Sequence, residues 1–306
     1  MSYSESLDEF HGLPVQDYNA LNSDWSGPNI AYRLREEYDD EVTINDRLEA
    51  LLDEDGSDQL VALIIGAWTG SCEGDDSATI VAKLVEIAPR LPALRHLFLG
   101  EMTFEECEIS WINQSDISPL LTAYPQLQSL HVRGGSGLSF SRVSHPELRT
   151  LVIETGGLPR SVLREIFLCD FPNLEHLELL LGTDNYGFDG SVEDLQPVLS
   201  GRLYPKLKYL GLRNSEIAND IAAVIVHSPI VERINELDLS LGTLDDEGIQ
   251  SLMSLANRSN LRRLNIAHHY GTVPAVQELV AALPFEVDAS DPQEADDEWR
   301  PVLHAE

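Results

Sequence analysis

The sequence predicts an α/β fold built by repetition, with one strand per repeat laid into a parallel sheet and a helix carrying the chain from each strand to the next. Three observations predict it. An apolar pattern L-x-x-L-x-L, with Ile or Val allowed for Leu, recurs along the chain. A proline recurs in step with it, and amphipathic helical stretches with start signals lie between the recurrences.

The pattern begins at Leu60, Leu94, Leu127, Leu148, Leu174, Leu207, Ile234 and Leu261. The mean spacing is about 29 residues, long enough for strand, loop and helix in each coil. Pro92, Pro125, Pro146, Pro172 and Pro205 each stand two residues before a leading leucine, preceded by an aromatic residue, Leu or His. Proline fixes its own φ and disfavours a helical predecessor, so it ends a helix and directs the chain into the next strand. Helices are expected where Ser115 precedes Ile117 to Tyr124, where Pro159 opens Arg160 to Leu168, and where Thr272 and Pro274 precede Val276 to Leu283. In the unit from Ile234 to Leu252, residues Leu244, Gly248 and Leu252 follow the strand at helical spacing.

These repeats resemble those of leucine-rich-repeat proteins with long, helix-containing units of the ribonuclease-inhibitor type. The resemblance covers roughly residues 60 to 285 and implies a solenoid, or horseshoe, with a concave parallel sheet and convex helices. The asparagine usual three residues after the third apolar position is replaced by Trp68, Met102, Gly135, Gly156, Gly182, Ser215, Gly242 and His269. Four of these are glycines, so a glycine-permitted turn is expected in place of an asparagine ladder. The 21-residue spacing from Leu127 to Leu148 predicts irregularity there, with Gly137 to Ser144 as strand or loop.

Residues 1–59 do not follow the repeat and read as an N-terminal cap over the apolar end of the solenoid. Within them Ile30, Tyr32 and Leu34 alternate as a strand would, and Thr43 with Asp46 caps a helix carrying Leu48, Leu51 and Leu52. Residues 60–285 are the solenoid of about eight repeats. Phe285 and Val287 suggest a last short strand, and residues 286–306 read as a mobile acidic tail. The whole chain, including Phe10-His11-Gly12-Leu13-Pro14-Val15, also resembles a bacterial leucine-rich-repeat family of unassigned activity. Members of that family tend to be encoded beside radical-SAM and ATP-grasp-like proteins. This implies a partner in a multi-protein pathway, and it supplies no catalytic residues.

The 306 residues hold 52 acidic and 20 basic side chains, a formal charge of −32. Such a surface repels phosphate backbones and anionic lipid, which argues against nucleic-acid and membrane partners. The excess is uneven: residues 1–59 carry 16 acids against 3 bases and residues 286–306 carry 8 against 1, leaving 28 against 16 for the repeats. No stretch approaches 18 apolar residues and no signal-peptide pattern opens the chain. Cys72, Cys107 and Cys169 are too few and scattered for a disulfide framework, and their odd number favours reduced thiols and a cytoplasmic location.

Motif chemistry is sparse. Arg133-Gly134-Gly135-Ser136-Gly137 lacks the Lys-Ser/Thr pair of a phosphate loop. His268 and His269 point to opposite faces in extended chain, and His96, His131 and His176 are spread over separate repeats, so no zinc site is expected. Tyr186 and Phe188 interrupt the acidic run Asp184 to Asp189 where calcium ligands should alternate. Asp245-Asp246-Glu247 suits a helix N-terminus, and Cys169 reads as a buried, inert thiol. No metal, cofactor or catalytic residue is assigned.

Surface geometry remains. In each strand the leucines face the core, so the residues between them line the concave face: Phe98, His131, Arg133, His176, Glu178, Tyr209, Arg213, Asp238, Arg263 and Asn265. Loops after the strands add Trp68, Trp111, Tyr186 and Phe188 on a rim. Aromatic and Arg side chains anchor interfaces, so the expected function is non-enzymatic binding of a protein or peptide, pathway enzymes included. The alternative is an enzyme or enzyme subunit using carboxylates on the rim.

Overall fold

The computed structural model describes residues 5–19, 25–37, 41–257, 260–296 and 299–305. They form two compact units, Met1–Ile153 with Cys169–Phe171, and Glu154–Leu168 with Pro172–Glu306. Among the described residues there are twelve strands and eight α-helices, and strand order follows chain order within each unit.

The first unit opens with an antiparallel hairpin, β1 (Glu9–Phe10) and β2 (Leu13–Asp17). From β2 onward the pairing is parallel, through β3 (Ala31–Leu34), β4 (Ala62–Ile65), β5 (His96–Leu99) and β6 (Ser129–Arg133), and the last strand is β7 (Thr150–Glu154). Helices α1 (Ile44–Leu52), α2 (Ala78–Ile87) and α3 (Ser118–Ala123) lie between strands. The second unit holds β8 (His176–Gly182), β9 (Tyr209–Ser215), β10 (Glu236–Asp238), β11 (Arg263–Asn265) and β12 (Glu286–Asp288). Its helices are α4 (Arg160–Leu168), α5 (Gln196–Leu199), α6 (Ala218–Ile225), α7 (Asp246–Leu252) and α8 (Val273–Ala282).

The leucine pattern is the pairing register. Tyr32, Leu63, Leu97 and Leu130 stand opposite one another across β3 to β6, and Leu177, Leu210, Leu237, Leu264 and Val287 do so across β8 to β12. Tyr32 thus fills a leucine position and is fully buried, which is why the N-terminal segment continues the sheet although it lacks the repeat. Each proline junction buries the residue before it, and two of these hold the helix behind them. The Tyr124 hydroxyl donates to the Leu84 carbonyl at 2.6 Å, and the Tyr204 hydroxyl to the Ile166 carbonyl at 2.7 Å. Tyr204 departs from the extended backbone expected before a proline, with φ of 51°.

Helix starts follow the capping signals with small shifts. Thr43 and Asp46 form a reciprocal capping box on α1. At α3 the amide of Ser118 donates to Asp116, one residue beyond the expected Ser115. Asp245 caps α7, while Asp246 accepts the Thr272 amide and hydroxyl at 2.6 and 2.9 Å, so the acidic run fixes two helix starts. Of the four glycines expected at repeat turns, Gly182 alone has positive φ, 75°, and a Cβ there would sit 1.8 Å from the Gly156 carbonyl. Elsewhere the turn uses a neighbour: Gly134, not Gly135, takes φ of 104°.

Two sequence expectations are corrected. Cys72 and Cys107 are joined by a disulfide rather than reduced, their Cα atoms 5.7 Å apart. Cys169 remains a free, buried thiol. The segment after Asp288, expected to be a mobile tail, is instead tied to the second unit by its described residues: Leu303 N–H donates to the Leu241 carbonyl, His304 N–H to Asn214 Oδ1, and Tyr270 OH to the Pro301 carbonyl. The polar composition had hidden Val302, which is 5% exposed. No helix of the described residues is long and apolar enough to cross a membrane.

Candidate functional site

The side chains between the leucines form the sheet face opposite the core in both units, and the second unit gathers seven of the expected residues there. One row across its strands is His176, Tyr209, Glu236, Arg263 and Glu286; the next is Glu178, Gly211, Asp238, Asn265 and Asp288. His176 and Tyr209 stack with ring centroids 3.9 Å apart and planes within 3°. Gly211, unnoticed in the sequence, makes this possible: a Cβ would lie 3.0 Å from the Tyr209 ring and 3.2 Å from Glu178 Cγ. A glycine at a face position of an otherwise regular strand is the signal that could have identified it.

Space over Gly211 lets Tyr209 lean across the strand, and its hydroxyl donates to Asp238 at 2.9 Å and stands 3.3 Å from Glu178. His176 Nε2 lies 3.3 Å from Glu178. The Arg213 guanidinium pairs with Glu178, and its Nε donates to Ser240 Oγ at 2.9 Å and stands 3.5 Å from Asp238. Asn265 donates to Asp238 at 2.8 Å, which joins four strands in one polar network. Beside it Arg263 donates to Glu236 at 2.9 Å and Asp288 at 3.1 Å, with Glu286 at 3.5 Å.

Burial alone would raise the Glu178 pKa, but the His176 hydrogen bond and the Arg213 charge outweigh it and bring it down to about 2. Burial raises Tyr209, and the Glu178 and Asp238 charges add to it, so the phenol stays protonated. Arg213 is raised as well, because its carboxylates outweigh the burial that opposes its charge. Glu178 and Arg213 are therefore held charged and satisfy one another. The network's outer members, His176, Tyr209 and Arg263, stay half-exposed.

The first unit differs. Phe98 and Arg133 are 1% and 3% exposed, and His131 is buried as well. Phe10 of β1 packs on Phe98, Ala31, Ala62 and Ile64, and Arg133 stacks 5.3 Å over Phe98 while donating to the Met102 carbonyl. The expectation that these three lie open on a concave face is corrected: the N-terminal hairpin covers Phe98 and His131, and Arg133 is buried over Phe98 against the Met102 carbonyl. Phe10 was missed because a two-residue strand shows no periodicity and 88 residues separate it from Phe98.

The rim divides too. Trp68 folds inward, its indole donating to the Asp75 carbonyl at 3.2 Å, and Phe188 is buried, so neither is an accessible rim residue. Tyr186 is half-buried, and Trp111 is exposed at 59%. Two clefts, of about 470 Å³ beside Pro92 and Tyr124 and about 450 Å³ beside Arg35 and Cys72, belong to the first unit and include none of the polar network. Among the described residues no group of three or more His, Cys, Asp or Glu could hold a metal ion.

No protein-family model and no curated protein matches the chain. Among solved structures, an internalin of Listeria monocytogenes is 13% identical over 85% of this chain and 72% of its own, with a TM-score of 0.34, too loose a likeness to bear on fold or function. A Bacteroides fragilis protein is 33% identical, with a TM-score of 0.82 over 90% of this chain and 77% of its own. The strands, their register and both sheet faces are thus described on a chain that belongs to the family of this Bacteroides fragilis protein.

Proposed function

We propose that the protein is a non-enzymatic scaffold of the leucine-rich-repeat kind, an N-terminal cap followed by a horseshoe solenoid, which binds a protein or peptide on the sheet face of its second unit. The observation that carries this reading is the satisfied network with a half-exposed surface layer. Glu178, Asp238, Arg213 and Asn265 hold one another in place, and they present the His176–Tyr209 stack and Arg263 towards solvent. Pre-organised aromatic and Arg groups on a rigid base suit interface anchors. The mixed charge suits a neutral or mixed-charge partner better than nucleic acid or lipid. An enzyme is less well supported, since the buried acids are spent on neighbouring side chains.

The test is affinity capture with the full chain as bait, followed by mass spectrometry, against a His176→Ala/Arg263→Glu variant whose melting temperature matches the wild type. A partner held by the wild type should be lost from the variant at least tenfold, and undiminished capture would sink the proposal. A cytoplasmic location forms part of the reading, and the Cys72–Cys107 bond is the observation against it. Alkylation of thiols at cell lysis decides: modification of both cysteines fits the cytoplasm, and protection of both argues for an oxidising compartment.

A further inference from the structure

We propose that the sheet face of the first unit is a second docking groove, made for a peptide that bends between an aliphatic residue and an aromatic one three positions on, as the chain does at Asp8, and that the chain's own residues 5–13 occupy it as a displaceable strap. The strap is Glu5 to Leu13, turned at His11 and Gly12 with φ of 51° and 77°. Phe10 fills an apolar seat of Ala31, Ala62, Ile64 and Phe98, with ring centroids 6.0 Å from Phe98 and 5.2 Å from His131. Leu7 packs beside it.

Below Leu7 lies a built site for the main chain of one residue. Glu101, 1% exposed, accepts the Leu7 N–H at 2.8 Å, and Arg33, 7% exposed, donates to the Leu7 carbonyl at 3.2 Å. The two charges pair with one another at 3.4 Å, so a buried ion pair meets both main-chain groups of one residue, its N–H with an acceptor and its carbonyl with a donor. Such a pair reads backbone and not sequence, while the Phe98 seat three residues on reads the aromatic ring. A hydrophobic cap would need only the apolar part.

The strap can leave without unravelling the sheet. The strand pairing of β1 is with β2, and β2 joins β3 through Val15, Gln16 and Asp17, beyond the turn. The core leucines Leu63, Leu97 and Leu130 lie on the opposite side of the sheet from Phe10. Release exposes the seat and leaves the ladder and the core in place. This groove is separate from the second unit's face, and either proposal can fail alone.

The experiment weakens the strap in the full chain with Leu7→Ala/Phe10→Ala and titrates in a fluorescent peptide of residues 5–17, read by polarisation. The variant should bind at least tenfold tighter than the wild type, whose own strap competes, and adding Phe98→Ala should abolish binding. A folded variant that ignores the peptide, or binding indifferent to Phe98→Ala, overturns the proposal. Should the variant fail to fold, hydrogen exchange on the wild type decides. Amides of residues 6–10 exchanging at least tenfold faster than those of β5 support a displaceable strap, and exchange in step with β5 overturns it.

Discussion

The two units build their cores alike and use the sheet face differently. Leu97 in the first and Leu210 in the second occupy equivalent register positions and are fully buried, yet the face positions beside them diverge. In the first unit Ile64, Phe98 and His131 lie in one row under the chain's own Phe10. In the second, Glu178, Asp238 and Asn265 form a row of paired polar groups, with Gly211 leaving room between the first two. The core row constrains only alternate residues of each strand, so the intervening ones are free to specialise. Repetition accounts for the scaffold, and function must be sought where repetition stops.

The largest effect should come from breaking the second unit's network from within. Glu178→Ala leaves the Arg213 guanidinium, whose side chain is 14% exposed, without its main counter-ion. A buried pair broken on one side costs about 3–5 kcal/mol, so urea unfolding should show a loss of that order. The double change Glu178→Leu/Arg213→Leu should recover most of it. A loss under 1 kcal/mol for Glu178→Ala would mean the network is surface decoration, and the contrast between the faces would fail.

Next in size, Leu97→Ala and Leu210→Ala should each cost about 2–5 kcal/mol, with similar values because their register positions are equivalent. A gap of more than about 2 kcal/mol between them would show that the cores are not interchangeable. Smaller again is the staple confined to the first unit. Replacing Cys72 and Cys107 by Ser removes a link across 35 residues and should cost roughly 2–4 kcal/mol relative to the oxidised protein. The same cost should follow from reducing the wild type, and the variant should be insensitive to reductant.

These contrasts also mark what the sequence makes legible. The leucine rows, the proline junctions and most helix starts depend on residues within one repeat, so periodicity and capping chemistry reveal them. The disulfide lay within reach: Cys72 and Cys107 stand seven and eight residues past Ile65 and Leu99, matching places on adjacent repeats. Counting cysteines across the chain hid this; counting them within the repeat exposes it. The strap was out of reach, because the contacts of Phe10 and Leu7 join segments 88 and 94 residues apart through side chains of no regular spacing. Among the face residues, those of the second unit came out together because consecutive repeats place them side by side. Those of the first were hidden by a segment outside the repeat.

The smallest effect, and the sharpest separation of the two faces, should come from pH. His96 stacks on His11 of the strap at 4.1 Å, and burial, with the nearby His11 and Arg95 charges, lowers its pKa to about 4. A base whose pKa is lower with the strap closed than with it released favours closure only while neutral, so closure weakens as pH falls from about 6.5 towards 4. His131 and Arg133 on β6 also face this region, 5.4 and 5.3 Å from the Phe98 ring. Glu101 acts in the opposite direction to His96, because burial raises its pKa and protonation then costs the closed state less. Allowing for solvent screening at the part-exposed imidazole, the net loosening should be tenfold at most between pH 7 and 5, read as lower protection of the residue 6–10 amides relative to free amides at the same pH, and His96→Phe should remove it. Glu178 reverses the logic of His96: its pKa of about 2 lies below the ordinary carboxylate value, so its contribution is present above about pH 4.5 and lost only as pH falls towards 2. At pH 5 the strap amides should therefore lose protection, measured against the intrinsic rate of free amides at the same pH, while the protection of those of β8 to β10 does not change. Parallel loss of protection in both units would show that acid acts on the whole protein rather than on one face.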